Sequence, residues 1–151
     1  MTVLQSYSGK YIDLCVLETG NLPGPDSVTV GIEGSGSVIA GPYKVVQKAL
    51  KFLMTEKGTV PSDPNYGTRF VGLLMSGQIQ TSIDLSFAFY DERFEIVNYA
   101  QSSARNISDD ETLTNMTLES FSASEDTATM KIKFTFVDSS VILAPVQIST
   151  V

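Results

Sequence analysis

The sequence contains no histidine, no tryptophan and only one cysteine, Cys15, among its 151 residues. Without histidine, the chain cannot form a Ser-His or Cys-His nucleophile or a histidine metal site. A single cysteine excludes a disulfide within the chain and a zinc site made of several cysteines. Cys15 stands in the apolar run 14–17, which is typical of a small buried side chain. We therefore expect no metal and no cofactor.

Basic residues are also scarce, with 10 Lys and Arg against 17 Asp and Glu, a net charge of −7. Phosphate backbones bind surfaces rich in Lys and Arg, so we expect no nucleic-acid partner. No apolar run reaches the length of a membrane span, and the N-terminus lacks the pattern of a secretory signal. We expect a chain that is made in the cytoplasm and does not bind a membrane.

The stretch 41–70 is the best-defined part of the sequence. Its first half predicts a short amphipathic helix, because apolar residues recur at helical spacing. This stripe consists of Val46, Ala49, Leu50 and Leu53. The opposite, polar side consists of Lys44, Gln47, Lys48 and Lys51. Lys57 and Gly58 should stop the helix, with Gly58 in the left-handed conformation just past its end.

A turn-rich corner follows this helix. Proline restricts φ and glycine frees it, so residues of these types predict a compact reversal of the chain. The residues that define the corner are Gly58, Pro61, Pro64, Tyr66 and Gly67. A second apolar run, 70–74, comes next. The whole stretch predicts a helix–corner–helix scaffold.

The segment 78–94 has two readings. A helix is favoured by a long apolar stripe, although Leu85 and Phe89 lie off it and would bury the helix on more than one side. The stripe consists of Ile79, Ile83, Phe87 and Tyr90. Strict alternation from Ile83 to Phe89 supports a strand instead. We expect the helix.

The remaining sequence predicts β-structure. We expect a strand from Phe94 and a polar turn at 105–111. A hairpin should then have its tip near 122–127 and its clearest strand at 130–136. Lysines on the outer face of that strand would deter edge pairing. Pro145 should confine the segment 141–151 to an edge or an arm.

The predicted fold is therefore a single α+β domain, with short helices packed on an antiparallel β-sheet. We expect an N-terminal arm or β-ribbon at 1–40, a core at 41–137, and a C-terminal strand or arm at 138–151.

One charged cluster, Asp91-Glu92-Arg93, could carry chemistry. Two carboxylates can act together in glycoside hydrolysis, but they must face the same cleft. Adjacent residues on a strand point to opposite faces, so a charged helix-to-strand junction is the favoured interpretation. The acidic turn 109–111 lacks the alternating ligands and glycine of a calcium loop.

The run 47–68 resembles the lysozyme-like baseplate wedge proteins of contractile-tailed phages. In that family a helix ends in a Leu-Thr-x-x-Gly-type stop, followed by a Pro-x-(Tyr/Phe)-Gly-(Ser/Thr) corner. Gly58, Pro64 and Gly67 stand in register with this pattern. The family then carries a Glu-Pro-Arg motif before a strand. Here Arg93 stands at the arginine, while Asp91 replaces the glutamate and Glu92 replaces the proline.

The resemblance implies a structural protein and not an enzyme. Family members sit in six copies around the tail tube, join the wedge to the hub region and provide the surface on which the sheath starts to assemble. They are similar in fold to the C-terminal domain of the sheath protein, which exchanges strands between subunits. For this chain, the terminal segments 1–40 and 141–151 would then be candidates for strand exchange.

By the same resemblance, Asp91, Glu92, Arg93 and Phe94 would bind a neighbouring subunit in the virion. The expected partners are other wedge and hub proteins and the tube and sheath proteins. Two alternatives stay open. One is a muralytic glycoside hydrolase that uses Asp91 or Glu92, and the other is a protein-binding module unrelated to phage.

Overall fold

The computed structural model describes residues 41–102, 107–123 and 127–149, together with four strand segments of two residues each. The helices are α1 (Pro42–Met54), α2 (Phe70–Met75) and α3 (Ser82–Gln101), and a 3-10 helix spans Asp109–Glu111. The short strands are β1 (Asp13–Leu14), β2 (Leu17–Glu18), β3 (Thr29–Val30) and β4 (Val38–Ile39). The long strands are β5 (Leu113–Ala123), β6 (Thr127–Phe136) and β7 (Val141–Ser149). The predictions for Cys15, for residues 105–106 and for the hairpin tip at 124–126 lie outside the described residues.

The three long strands form one antiparallel sheet in the order β5-β6-β7. The predicted alternation of β6 is confirmed, since Met130, Ile132, Phe134 and Phe136 are all buried. The prediction that the lysines of β6 deter pairing at a sheet edge is wrong, because β6 is the central strand. Lys133 instead lies 3.7 Å from the Glu119 carboxylate on β5.

Strand β7 lies at an edge of this sheet, as Pro145 predicted. Pro145 is opposite Lys131 in the register, and a proline here gives up only one potential donor of the ladder. The inner face of β7 is apolar and buried, with Ile142, Ala144 and Val146 in the core. Segment β3 lies close to β7.

The described N-terminal segments pair antiparallel, β1 with β4 and β2 with β3. The structure describes only these eight residues of the segment 1–40, so the expected N-terminal arm or ribbon stays a prediction.

Helix α1 buries the predicted apolar stripe, and Val46, Ala49 and Leu53 are fully buried. Its polar side differs from the expectation, because Lys44 and Gln47 are also buried. Lys44 Nζ lies 3.1 Å from the Glu111 carboxylate, and this ion pair compensates the charge inside the protein. Lys51 is exposed, as the pattern predicted.

The end of α1 also differs from the prediction. The helix ends at Met54, and Thr55 is already extended, with φ −97° and ψ 126°. Gly58 does adopt a left-handed conformation, with φ +89°. It therefore belongs to a turn in the corner and does not cap the helix.

The helix prediction for 78–94 is confirmed and the strand alternative is wrong. The strand expected from Phe94 is wrong too, since α3 continues to Gln101. A capping box begins the helix: Asp84 N donates to Thr81 Oγ1, and the Asp84 carboxylate accepts from Thr81 N. No glycine or proline follows before Gln101 to interrupt it.

The buried face of α3 is not the predicted stripe. Leu85, Phe89 and Ile96 are fully buried against α1, α2 and β5, while Ile83 and Phe87 are exposed. The core therefore lies between the helices and one face of the sheet. The chain has the α+β fold that the sequence predicted.

Candidate functional site

The corner between α1 and α2, residues 55–69, closes on itself. Thr68 N donates to Thr55 O at 2.9 Å, and Lys57 N donates to Thr68 O at 3.0 Å. The Thr68 hydroxyl also donates to Leu53 O at 2.8 Å. These bonds hold the two ends of the corner next to each other and connect Thr68 to the C-terminus of α1.

Gly67 is the residue that this closure requires. Its φ is +98°, and a Cβ at this position would lie 2.3 Å from Thr55 O. Real atoms do not approach so closely, so only glycine fits without a backbone shift. Gly58 has a similar φ but open space around it, so its requirement is conformational alone.

Two tight turns form the outer part of the corner. Asp63 N donates to Val60 O at 3.1 Å, and Tyr66 N donates to Asp63 O at 3.0 Å. Pro61 and Pro64 lie within these turns and are exposed. The corner that Pro and Gly predicted is therefore present in the structure.

Tyr66 connects the corner to two helices. Its ring stands edge-on to Phe52 on α1 and to Tyr99 on α3, with 5.2 Å between centroids in each case. Phe52 and Tyr99 stack at 4.3 Å. Lys48 Nζ lies 4.7 Å from the centroid of the Tyr99 ring. Sequence reasoning identified Tyr66 but missed this cluster, because its members are far apart along the chain.

Glu92 lies against the same corner. Its side chain is buried, and Oε1 accepts a hydrogen bond from Arg69 N at 3.4 Å. The Arg69 guanidinium lies 3.7 Å from the same oxygen. Near this point, Lys57 Nζ lies 3.6 Å from the Glu95 carboxylate. The structure therefore brings the corner and the Asp-Glu-Arg cluster together.

The four predicted partner-binding residues point in different directions. Arg93 reaches β5, where Nη1 donates to Asn115 Oδ1 at 3.3 Å, and its guanidinium lies 5.1 Å from the Tyr90 ring centroid. Asp91 and Phe94 are exposed, whereas Glu92 faces inwards. Adjacent residues on a helix are about 100° apart, so Asp91 and Glu92 do not form a pair facing one cleft.

An apolar surface runs along the outside of α3, and we call it the outward stripe. Its members are Ile83 (65% exposed), Phe87 (74%), Tyr90 (39%) and Phe94 (74%). Tyr90 also accepts a hydrogen bond at its hydroxyl from Leu118 N at 3.2 Å. Such a row of large exposed side chains is typical of an interaction surface.

Two shallow grooves lie on either side of Phe87. The larger, about 360 Å³, is lined by Leu73, Gln78, Ile79, Asp84, Phe87, Ala88 and Asp91. The smaller, about 260 Å³, is lined by Ser82, Ile83, Ser86, Phe87 and Tyr90. The first groove is therefore acidic and the second carries no charged side chain.

Hydrogen bonds favour the ionised form of one carboxylate of the larger groove, that of Asp84. Hydrogen bonds from the Thr81 hydroxyl and from the Thr81 and Gln80 backbone lower the pKa of Asp84 below its usual 3.8. The Thr81 hydroxyl donates to Asp84 Oδ2 at 2.8 Å. Asp91 makes no ion pair with the residues that the structure describes.

Within the described ranges, no three acidic, cysteine or histidine side chains converge as metal ligands. Every buried side-chain nitrogen and oxygen there has a hydrogen-bond partner. No described helix is long and apolar enough to cross a membrane.

No protein-family model matches this sequence, and no curated protein matches it either. The likeness to baseplate wedge proteins therefore rests on the residues of the corner and of α3.

Proposed function

We propose that this protein is a structural component of the baseplate of a contractile phage tail. It would join the wedge to the central tube or hub and start sheath assembly through protein–protein interfaces. One observation supports the proposal above others. The two stretches that carry the resemblance, 47–68 and 90–94, are far apart in sequence but adjacent in the fold.

The contacts join one residue of each stretch to the residue that directly follows the other stretch: Glu92 binds Arg69, and Lys57 pairs with Glu95. Gly67 allows the corner to close, the closed corner positions the backbone N–H of Arg69, and Glu92 accepts from that N–H. Corner and acidic cluster thus act as one structural unit.

The glutamate that replaces the proline of the Glu-Pro-Arg pattern, Glu92, has a consequence for helix α3. Proline at position 92 would remove one helical hydrogen bond and clash with the preceding turn. Glutamate instead lets α3 continue to Gln101, and its carboxylate binds the corner. In this chain, then, Glu92 would support the interface from inside while Asp91, Arg93 and Phe94 contact the neighbour.

The partners of the proposal are wedge and hub proteins and the tube and sheath proteins, with six copies of this chain in each virion tail. The likeness to the strand-exchanging domain of the sheath protein is part of the same proposal. Edge strand β7 and the expected N-terminal ribbon are the elements that would exchange, because an edge strand offers backbone groups to a neighbour.

The test is co-expression with the products of the neighbouring genes, followed by electron microscopy. The proposal expects a sixfold ring at the junction of tube and sheath. Arg93→Ala should reduce ring formation while the monomer stays folded, and Lys51→Ala, at an exposed cation of α1, is the matched control. A chain that stays monomeric and joins no particle would overturn the proposal.

The muralytic alternative has its own assay. Clearing of cell walls by the pure folded protein, lost in both Asp91→Asn and Glu92→Gln, would replace the structural proposal by an enzymatic one.

A further inference from the structure

The side chains of the outward stripe are spaced like the apolar residues along which two helices pack together in a coiled coil. Its members follow one another at intervals of four, three and four residues, from Ile83 to Phe94. This is the alternation of a and d positions in a heptad repeat. The stripe covers three turns, about 16 Å at 1.5 Å per residue. An extended strand would match such a row poorly, because its side chains alternate with a period of two.

The two flanks of the stripe differ in charge. Asp84 and Asp91 lie on one flank, seven residues apart, and both line the larger groove. Ser86 and Arg93 lie on the other flank, and Arg93 is already engaged with Asn115 and Tyr90. The negative charge beside the stripe comes from Asp91 and from Asp84, whose Oδ2 already accepts from Thr81 and Gln80, and it lies within reach of a helix seated on Phe87.

A second copy of this chain is a poor occupant. In an antiparallel pair like flanks meet, so Asp84 of one copy would face Asp91 of the other. In a parallel pair Asp91 would face Ser86 of the second copy, and no cation would meet the acids. The net charge of −7 adds repulsion between copies.

We propose that the outward stripe and the larger groove bind an amphipathic helix of another protein whose apolar seam is flanked by Lys or Arg. Apolar side chains of the partner pack around Phe87. A basic side chain lays its aliphatic part on Leu73 and Ile79 and directs its charge to Asp91. A second basic residue, two turns away, meets Asp84.

The inference rests on the proposed function only in that it assumes a protein that works through interfaces. It concerns the outer face of α3 from Ile83 to Phe94, shares Asp91 and Phe94 with the proposed interface, and needs no phage partner. A failure of ring formation would therefore leave it standing, and a failure here would leave the contacts of Arg93 with a neighbouring subunit standing.

The probe is a synthetic helix of about three heptads, with leucine at a and d positions and lysine along one flank. A control peptide carries glutamate in place of each lysine. Binding to the full chain is followed by fluorescence anisotropy of the labelled peptide. Three variants of the protein are compared: Phe87→Ser, Asp91→Lys and Asp109→Lys. Asp109 is an exposed acid in the 3-10 helix and controls for the change in net charge.

The expected result is saturable binding of the lysine peptide and much weaker binding of the glutamate peptide. Phe87→Ser should weaken binding about tenfold, as loss of a central aromatic anchor does. Asp91→Lys should weaken it about fivefold through charge reversal, and Asp109→Lys by less than about twofold. Thermal melting followed by circular dichroism confirms that each variant is folded.

Four results would overturn the proposal. The first is no saturable binding, and the second is equal binding of both peptides. The third is equal loss in Asp91→Lys and Asp109→Lys, which would indicate attraction to the overall charge alone. The fourth is a dimer of the chain, seen by sedimentation, that Phe87→Ser dissolves, because it would make a second copy the occupant.

Discussion

Helices α1 and α3 depart from their sequence patterns in opposite ways. In α1, polar residues lie inside the protein, with Lys44 and Gln47 buried beside the apolar stripe. In α3, apolar residues lie outside, with Ile83 and Phe87 exposed. Both helices were predicted as amphipathic or apolar segments, and both do form. The pattern predicted the helices correctly, but it did not predict what surrounds them.

The difference has a physical origin in their neighbours. Helix α1 contacts α2, α3 and the 3-10 helix, and the last of these supplies Glu111 to Lys44. Helix α3 contacts the rest of the protein on one side only, so its second apolar stripe has no cover among the described residues. A buried polar side chain thus indicates an internal partner, whereas an exposed apolar row indicates an external one.

The largest effect is expected from a comparison of two phenylalanines of α3, the buried Phe89 and the exposed Phe87. Phe89→Ala should reduce the free energy of unfolding by about 3–5 kcal/mol, because it leaves a cavity in the core. Phe87→Ala should change it by no more than about 0.5 kcal/mol, since the ring is exposed. Urea unfolding of both variants measures the difference. Equal losses would contradict the assignment of faces.

The buried ion pair of α1 should give the next largest effect. Lys44→Met should cost about 3 kcal/mol, because it leaves the Glu111 carboxylate buried without its cation. The Ser108 hydroxyl, which donates to Glu111 Oε2 at 3.0 Å, stays in place. Adding Glu111→Leu to Lys44→Met should recover most of the loss. A double mutant as unstable as the single one would mean that the pair itself stabilises the fold.

The two glycines of the corner, Gly58 and Gly67, allow the cost of a strained backbone to be distinguished from the cost of a steric clash. Gly67→Ala should cost about 2 kcal/mol or more, because a positive φ and a backbone clash combine. Gly58→Ala should cost only about 1 kcal/mol, for the conformation alone. Equal costs in chemical denaturation would argue against the close approach of Gly67 to Thr55.

The smallest effect concerns pH. The pKa of Asp84 is lowered in the folded state by its hydrogen bonds with Thr81 and Gln80. The carboxylate therefore contributes stability above its unfolded value of 3.8, and that contribution is lost as the pH falls through the lowered folded value. Asp84→Asn should remove this part of the acid dependence. Unfolding curves of wild type and variant, measured from neutral to acidic pH, provide the check, and identical curves would contradict it.

Much of the fold could be predicted from the sequence because it depends on local signals. The alternation in β6, Pro145 at an edge, and the glycines of the corner each require one backbone geometry. The end of α1 at Met54 and the continuation of α3 to Gln101 were not predicted. The end of α1 is bound by a residue distant in the sequence, since the Thr68 hydroxyl donates to Leu53 O. For α3 a local signal was available, because no glycine or proline occurs between Ser82 and Gln101.

The candidate site shows the same division. Asp91, Arg93 and Phe94 were found from the motif, and the exposed position of Phe94 agrees with an outward role. The outward stripe was missed because its residues were taken for the core. The available signal was that α3 carries two apolar stripes, one more than a helix packed on one side can bury.

The central claim is that the outer face of α3 is covered in an assembly. Cryo-electron microscopy of the tail particle in which we propose that this chain lies tests it most directly. The account predicts six copies around the tube, each with Ile83, Phe87 and Phe94 buried by a helix of a different protein. A particle in which this face of α3 is open to solvent would contradict it.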